Sequence, residues 1–301
     1  MTDSPIESVS DTAFWIAHFR AVETERADAL FRDPLAGVLA GDRGEKIARA
    51  MPMPQVTGWS VAIRTCIIDD YIRRAIEQGV DTILNLGAGL DTRPYRMDLP
   101  ASLLWVEADY PRVVEFKESR LSGEKPRCRL ERVKINLADL PERRRMLAQI
   151  DARAKKMLVL TEGVLPYLTN EEVGSLADDL RTLDRGRQWI AEYFSPALMN
   201  LRFRRRMRRK MKNAPFKFAP PDWLGFFEEH GWHLKEISYL GEEADRLHRP
   251  VELPLPLKII MGIRGLFLSA SQKVALLKKS AGLAWLERGD VDSQRGTLPN
   301  A

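Results

Sequence analysis

The stretch 82–96, TILNLGAGLDTRPYR, decides the fold. Ile83, Leu84 and Leu86 make a short apolar run broken only by Asn85, and it stops at Gly87-Ala88-Gly89. An apolar run that ends in a tight turn reads as a buried parallel strand. Glycine at 87 and 89 admits backbone conformations closed to other residues and lets a ligand lie against the main chain. Beyond the turn, Asp91 or Thr92 can cap a helix, and Pro94 suits its first turn. A dinucleotide fingerprint would need a third glycine at position 92, where Thr stands. By itself, G-x-G leaves a ligand-free β–α turn equally open.

Upstream, residues 11–51 repeat apolar positions at helical spacing: Phe14, Trp15, His18, Val22 and Leu30-Phe31, with a break at Asp33-Pro34. These helices precede the first strand, so they pack outside the sheet as a cap. The stretch 51–58, MPMPQVTG, reads as a linker. Residues 60–78 then form one amphipathic helix with Val61, Arg64, Ile68, Tyr71, Ile72 and Ala75 along one side, ending at Gly79. Arg64 is the odd member. It either snorkels to the helix edge or aims a planar fork at a ligand carboxylate.

Downstream, 102–111 reads as a second strand ending in acids. Glu107 and Asp109 fall about twenty residues past Gly87, where a Rossmann-like unit places the carboxylate that binds ribose hydroxyls. A solvated acid at a strand end is the plainer alternative. A helix over 113–121 leads to a third strand within 128–140, ending at Asn136-Leu137, a polar group for adenine's edge and an apolar one for its face. Helices at 141–152, 170–183 and 222–229 alternate with strands at 156–162, 188–194 and 230–240. That alternation specifies an α/β fold, a mostly parallel sheet with helices on both faces. Ligands bind such sheets outside the carboxyl ends of the strands, where Gly87, Asp109, Asn136 and Glu162 converge.

With 301 residues there is ample chain for one large core, and 30% charged with 45% hydrophobic residues fit an ordinary globular protein. The net charge of +5 mildly favours acidic partners. Cys66 and Cys128 are too few for a disulfide framework and fit a reducing cytoplasm. The start, MTDSPIESVSD, lacks signal-peptide order, and the apolar segment 253–270 is interrupted by two prolines, Lys258 and Arg264, so no transmembrane segment is expected. The expected organisation is a helical cap over 1–58 and a main domain over 59–288 with a helical insertion at about 196–221. A disordered tail over 289–301 completes it. Within the insertion, 201–212, LRFRRRMRRKMK, holds eight Lys or Arg, with Phe203, Met207 and Met211 four apart. It reads as a surface helix docked by a narrow seam, or as a site for an acidic partner such as a carrier protein. Nucleic acid is disfavoured because no aromatic platform is interleaved.

Four segments carry a more specific signal: SVAIRTCIIDDYI (60–72), ILNLGAGLDTRPYR (83–96), WVEADYPRVVEFK (105–117) and LTEGVLPYLT (160–169). In this order and spacing they resemble the leucine carboxyl methyltransferase family, closest to its bacterial, polyketide-type O-methyltransferase branch. The resemblance spans about 11–195. It implies a class I methyltransferase sheet that uses S-adenosyl-L-methionine. It further implies that Arg64 holds the methionine carboxylate and that Gly87, Ala88 and Gly89 pass under the methionine moiety. Asp109 would take the ribose, Asn136 and Leu137 flank the adenine, and Glu162 sit near the amino group. In many relatives position 136 is Asp. This donor has no pyrophosphate, so a third glycine is unnecessary, and its free carboxylate gives Arg64 a role.

The acceptor is open at this stage. A carboxylic acid is ionised at pH 7 and needs no base, whereas a phenol profits from one. Of the histidines only His18, in the cap, is placed to serve. Tyr193 and Tyr167 are candidates for lining the acceptor pocket. The reading is a small-molecule O-methyltransferase, with a catalytically silent binding protein and a nicotinamide oxidoreductase as alternatives.

Overall fold

The computed structural model describes residues 6–195, 210–252 and 278–289. Its centre is β1 (Thr82–Leu86), hydrogen-bonded in parallel to β2 (Leu104–Asp109) on one side and β4 (Met157–Thr161) on the other. Two more parallel strands, β3 (Arg129–Lys134) and β5 (Gly186–Phe194), flank these. The order across the sheet is β3-β2-β1-β4-β5-β7-β6, where β6 is Trp232–Tyr239 and β7 is Ala281–Arg288. β7 runs antiparallel to both neighbours.

β1 is buried at every position, so its residues divide between two cores. Leu84 and Leu86 join one cluster with Val106, Val159 and Trp189. Ile83 joins the other with Trp105, Leu158, Leu160 and Ile190. Helices cover both faces. The first cluster is sealed by α6 (Leu140–Asp151), α7 (Asn170–Arg181) and α8 (Trp223–Glu229). The second is sealed by α3 (Pro54–Glu77) and α9 (Leu240–Arg246). Two-sided cover is what a parallel sheet requires, and it explains the near-continuous apolar strands.

The cap consists of α1 (Asp11–Thr24) and α2 (Pro34–Ala50), the latter started by Asp33, whose side chain accepts from the Ala36 N–H. Trp15, Phe19 and Ile47 from the cap pack with Val61 of α3 and with Met211 and Ala214. After β1 comes α4 (Arg93–Arg96), and after β2 comes α5 (Pro111–Arg120).

Several expectations need correction. The linker over 51–58 is mostly helix: Pro54 is the first residue of α3, which suits proline because that N–H has no helical partner. The expected boundary at 58/59 therefore lies inside a continuous helix, and only the three residues 51–53, ending in the left-handed Met53 (φ 56°), separate cap from α3. β7 carries no strand signal in the sequence. Its stretch AGLAWLER is buried on both faces, so it shows no alternation, and it contains Gly282. A Cβ there would sit 2.6 Å from the Ser238 carbonyl oxygen of β6, so the glycine permits close strand approach. The insertion is described only from Lys210 onward; most of the basic cluster 201–212, the segment 253–270 and the tail beyond Gly289 lie outside the described residues. Among the described residues no helix is long and apolar enough to cross a membrane.

Candidate active site

The turn after β1 holds Gly87 at φ 66° and Gly89 at φ 50°, both in the left-handed region. A Cβ on Gly87 would also stand 2.4 Å from Cγ2 of Val164, so conformation and packing each demand glycine. The Gly89 N–H donates to Asp109 Oδ2 at 2.6 Å and the Tyr110 N–H to Oδ1 at 2.6 Å. Burial pushes the Asp109 carboxyl above its usual range, and these two N–H groups oppose it.

A cavity of about 730 Å³ opens above the carboxyl ends of the strands. Gly87, Ala88 and Gly89 line it, as do Asp109 from β2, Leu137 after β3, Glu162 after β4 and Glu192 on β5. At about 4.8 Å per strand, five strand ends from β3 to β5 span roughly 19 Å. The cap roofs it through Ser10, Thr12, Ala13 and Ile16, and the wall at Phe216 and Lys217 closes another side.

One end of this cavity is a buried charge network. Arg64, projecting from α3, places Nη1 3.1 Å from Glu192 Oε1 and Nε 3.0 Å from Glu162 Oε1. The second approach is an ion pair without hydrogen-bond alignment, so Arg64 Nε remains a buried donor lacking a hydrogen-bond acceptor. Glu162 Oε2 also accepts from Arg93 Nη1 at 2.7 Å. Burial alone would raise the Glu162 carboxyl, but the Arg93 and Arg64 guanidiniums hold it below the usual carboxylate range. Arg93 is 2% exposed and further bound by Asp69 at 2.7 Å and Asp91 at 2.8 Å.

The network continues into the cap. Arg96 is bonded to Asp69 at 2.6 and 2.8 Å. Asp33 takes the Thr92 hydroxyl at 2.6 Å and Arg20 Nε at 2.9 Å, while Arg20 Nη2 donates to the Leu90 carbonyl at 2.5 Å. Glycine loop and cap are thus fixed to each other by buried charged groups.

Arg64, Gly87, Ala88, Gly89, Asp109, Leu137 and Glu162 all line the one cavity, as does Tyr167. Three expected residues are placed elsewhere. Asn136 turns its Oδ1 to the Ala138 N–H at 3.1 Å, while Ile135, Leu137 and Ala138 line the cavity in its stead. His18 is absent from the lining, packs edge-on against Phe19 at 5.6 Å, and has its pKa lowered by burial. Tyr193 points to the sheet's core side, edge-on to Trp223 and Tyr239 at 5.4 and 5.8 Å. Glu107 is structural, buried between Lys117 (2.7 Å) and Arg132 (2.9 Å).

Sequence reasoning missed Glu192, Arg93, Asp91 and Asp69. Arg93 and Asp91 sit inside the quoted motif, where two charges at a strand-to-helix turn that must be buried were the available signal. Glu192 sits two residues before the end of β5, and its role depends on partners from distant parts of the chain.

The sheet order, the antiparallel β7, the glycine loop and the acid at the end of β2 define a class I methyltransferase fold. A crystal structure of a duf574 family protein from Streptomyces avermitilis superimposes with a TM-score of 0.55 at 15% identity, covering 91% of this chain and 97% of that one. The family model for leucine carboxyl methyltransferase matches residues 13–181. A Mycobacteroides abscessus protein named as an S-adenosyl-L-methionine-dependent methyltransferase is 31% identical over 280 residues, 81% of this chain and 90% of that protein. A Parafrankia relative of the same description is 30% identical over 288 residues, 88% of each chain. The chain belongs to the leucine carboxyl methyltransferase family and is an S-adenosyl-L-methionine-dependent methyltransferase.

The cavity fits that donor. The Arg64 Nε awaits an acceptor, the face over Gly87 and Gly89 has no Cβ, and Asp109 and Glu162 stand at strand ends on either side of the loop. When bound, the donor supplies a methyl group already activated on a positively charged sulfur. The nicotinamide alternative falls with this assignment. The Thr92 hydroxyl is spent on Asp33, and α4 is four residues long, so the loop offers no open helix end to a pyrophosphate.

Proposed function

We propose that the chain transfers the methyl group to an oxygen, a carboxylate or hydroxyl, of a small molecule, polyketide-like or carrier-bound. The observation that carries this is the cavity itself: a deep, partly open cleft whose volume suits a small ligand, roofed by the cap and lined largely by apolar groups such as Val9, Ile16, Val164, Leu168 and Phe216. Arg64 would hold the donor's carboxylate, Glu162 its amino group and Asp109 its ribose. Ile135 and Leu137 would supply apolar contact for the adenine. The cap excludes water while the residues align acceptor and methyl group.

Support against an amine acceptor comes from the end of β4. Thr161-Glu162-Gly163-Val164 stands where base-modifying N-methyltransferases carry an Asn/Asp-Pro-Pro-Tyr tetrad. A carrier protein docking at 201–212 remains a proposal resting on sequence alone, and free Cys66 and Cys128 fit a cytoplasmic setting. Incubating the protein with methyl-labelled donor and a small-molecule extract of its native cells tests the reading. Label should enter low-mass products. Methyl esters release it in mild alkali, and methyl ethers retain it. A folded, donor-bound protein that labels nothing would instead favour the catalytically silent binding protein.

A further inference from the structure

Glu192 is an acid of this cavity that neither sequence reasoning nor the proposed binding roles use; of the others without such a role, Glu171 and Glu172 are exposed and Asp91 is taken up by Arg93 and Asn85. Its carboxyl is 3% exposed at the carboxyl end of β5, yet it lines the cavity beside Glu162. Oε1 accepts from Arg64 Nη1 at 3.1 Å and Oε2 from the Gly163 N–H at 2.8 Å. The groups facing it come from every neighbouring element. Arg64 comes from α3, Glu162 and the Gly163 N–H from the end of β4, and Tyr167 from the turn beyond; Leu283 of β7, its strand partner, brings no charge. Two carboxyls therefore share one guanidinium, and Glu162 alone has a second cation in Arg93.

We infer that Glu192 is the proton-exchanging group of the reaction centre, and that the acceptor is a hydroxyl, which must lose a proton, rather than a carboxylate. The inference rests on the O-methyltransferase reading. In the balanced step the acceptor hydroxyl gives its proton to the Glu192 carboxylate and its lone pair to the methyl carbon, with the old carbon–sulfur electron pair left on sulfur. One positive charge disappears beside Glu192 in that step, which makes its carboxylate a stronger base as it is needed. An ionised Glu192 would repel a carboxylate acceptor at the same place. Burial, partly offset by Arg64 and reinforced by Glu162, pushes this carboxyl up to about 7, so it can exist in both states near neutral pH.

The test needs no acceptor. Calorimetry of S-adenosylmethionine and of S-adenosylhomocysteine, each in buffers of different ionisation enthalpy at pH 7, reads protons released on binding. Wild type should release more with the methylated, cationic ligand, by roughly half a proton per site. Its preference for that ligand should grow several-fold from pH 6 to pH 8. Both effects should vanish in Glu192→Gln and persist in Glu192→Asp, with folding of each checked by circular dichroism. No proton difference in wild type, or the same difference in Glu192→Gln, overturns the inference while leaving the donor site standing. Label that leaves the product in mild alkali overturns the hydroxyl assignment. Failure of both ligands to bind folded wild type strikes the methyltransferase reading itself, and this inference falls with it.

Discussion

The ends of β4 and β5 lie side by side, each carries a glutamate, and both glutamates reach the same Arg64, yet they are in opposite electrostatic situations. Glu162 has two guanidiniums and stays ionised; Glu192 has half of one and a backbone N–H, and it hovers near neutrality. The difference traces to Arg93, which the turn after β1 drives into the interior. A parallel sheet places equivalent positions in a row, so what distinguishes them chemically is the second partner supplied by the neighbouring loop. On the proposed roles, one strand end would hold a cationic ligand and the next would exchange a proton.

Removing Arg93 should break the comparison outright. Arg93→Ala leaves Asp69, Asp91 and Glu162 buried with their shared cation gone, and should cost about 3–5 kcal/mol, read as a lowered urea midpoint. An unchanged midpoint would mean that the network contributes nothing to stability.

The two glutamates should then respond oppositely to pH. The Glu162 carboxyl is held low in the folded state, so its stabilisation is present above the unfolded pKa and is lost as pH falls. The Glu192 carboxyl is held high. Between its unfolded pKa and about 7 the folded state binds more protons, so its contribution falls as pH rises through that window, by up to on the order of 3 kcal/mol. At pH 8, Glu162→Gln should destabilise while Glu192→Gln stabilises or is neutral, and Glu192→Gln should flatten the stability profile between pH 5 and 8. Thermal melts across that range decide it; parallel behaviour of the two variants would erase the distinction.

The smallest effect concerns Arg64 itself. Arg64→Ala should weaken donor binding at least about tenfold, the loss of one charge-assisted fork worth roughly 1.5–3 kcal/mol. An unchanged dissociation constant would remove Arg64 from the donor site.

Much of the fold and of the candidate donor site was legible in the sequence because that part of the cavity is built locally. The strand TILNL, the glycine turn and the acid on β2 each announce themselves within a few residues, and parallel pairing brings them together without further information. Arg64 could be read because a charged residue on an apolar helix stripe is anomalous. What stayed hidden depends on distant pairing. β7 is inserted between β5 and β6 from the far end of the chain, and its two-sided burial removes the alternation that marks a strand. Asn136 is absent from the cavity lining for a local reason, because its side chain caps its own turn. His18 and Tyr193 lie off the cavity lining because residue type suggested chemistry while packing decided direction. Glu192 is informative only once α3 and the end of β4 are laid against it.

The most direct test is calorimetric titration of folded protein with S-adenosylhomocysteine, repeated on Asp109→Ala and Arg64→Ala. Saturable binding at one site per chain, weakened in both variants, is the expected result. Absence of binding to wild type, or binding indifferent to both substitutions, would contradict a donor lying across the glycine turn between those two residues.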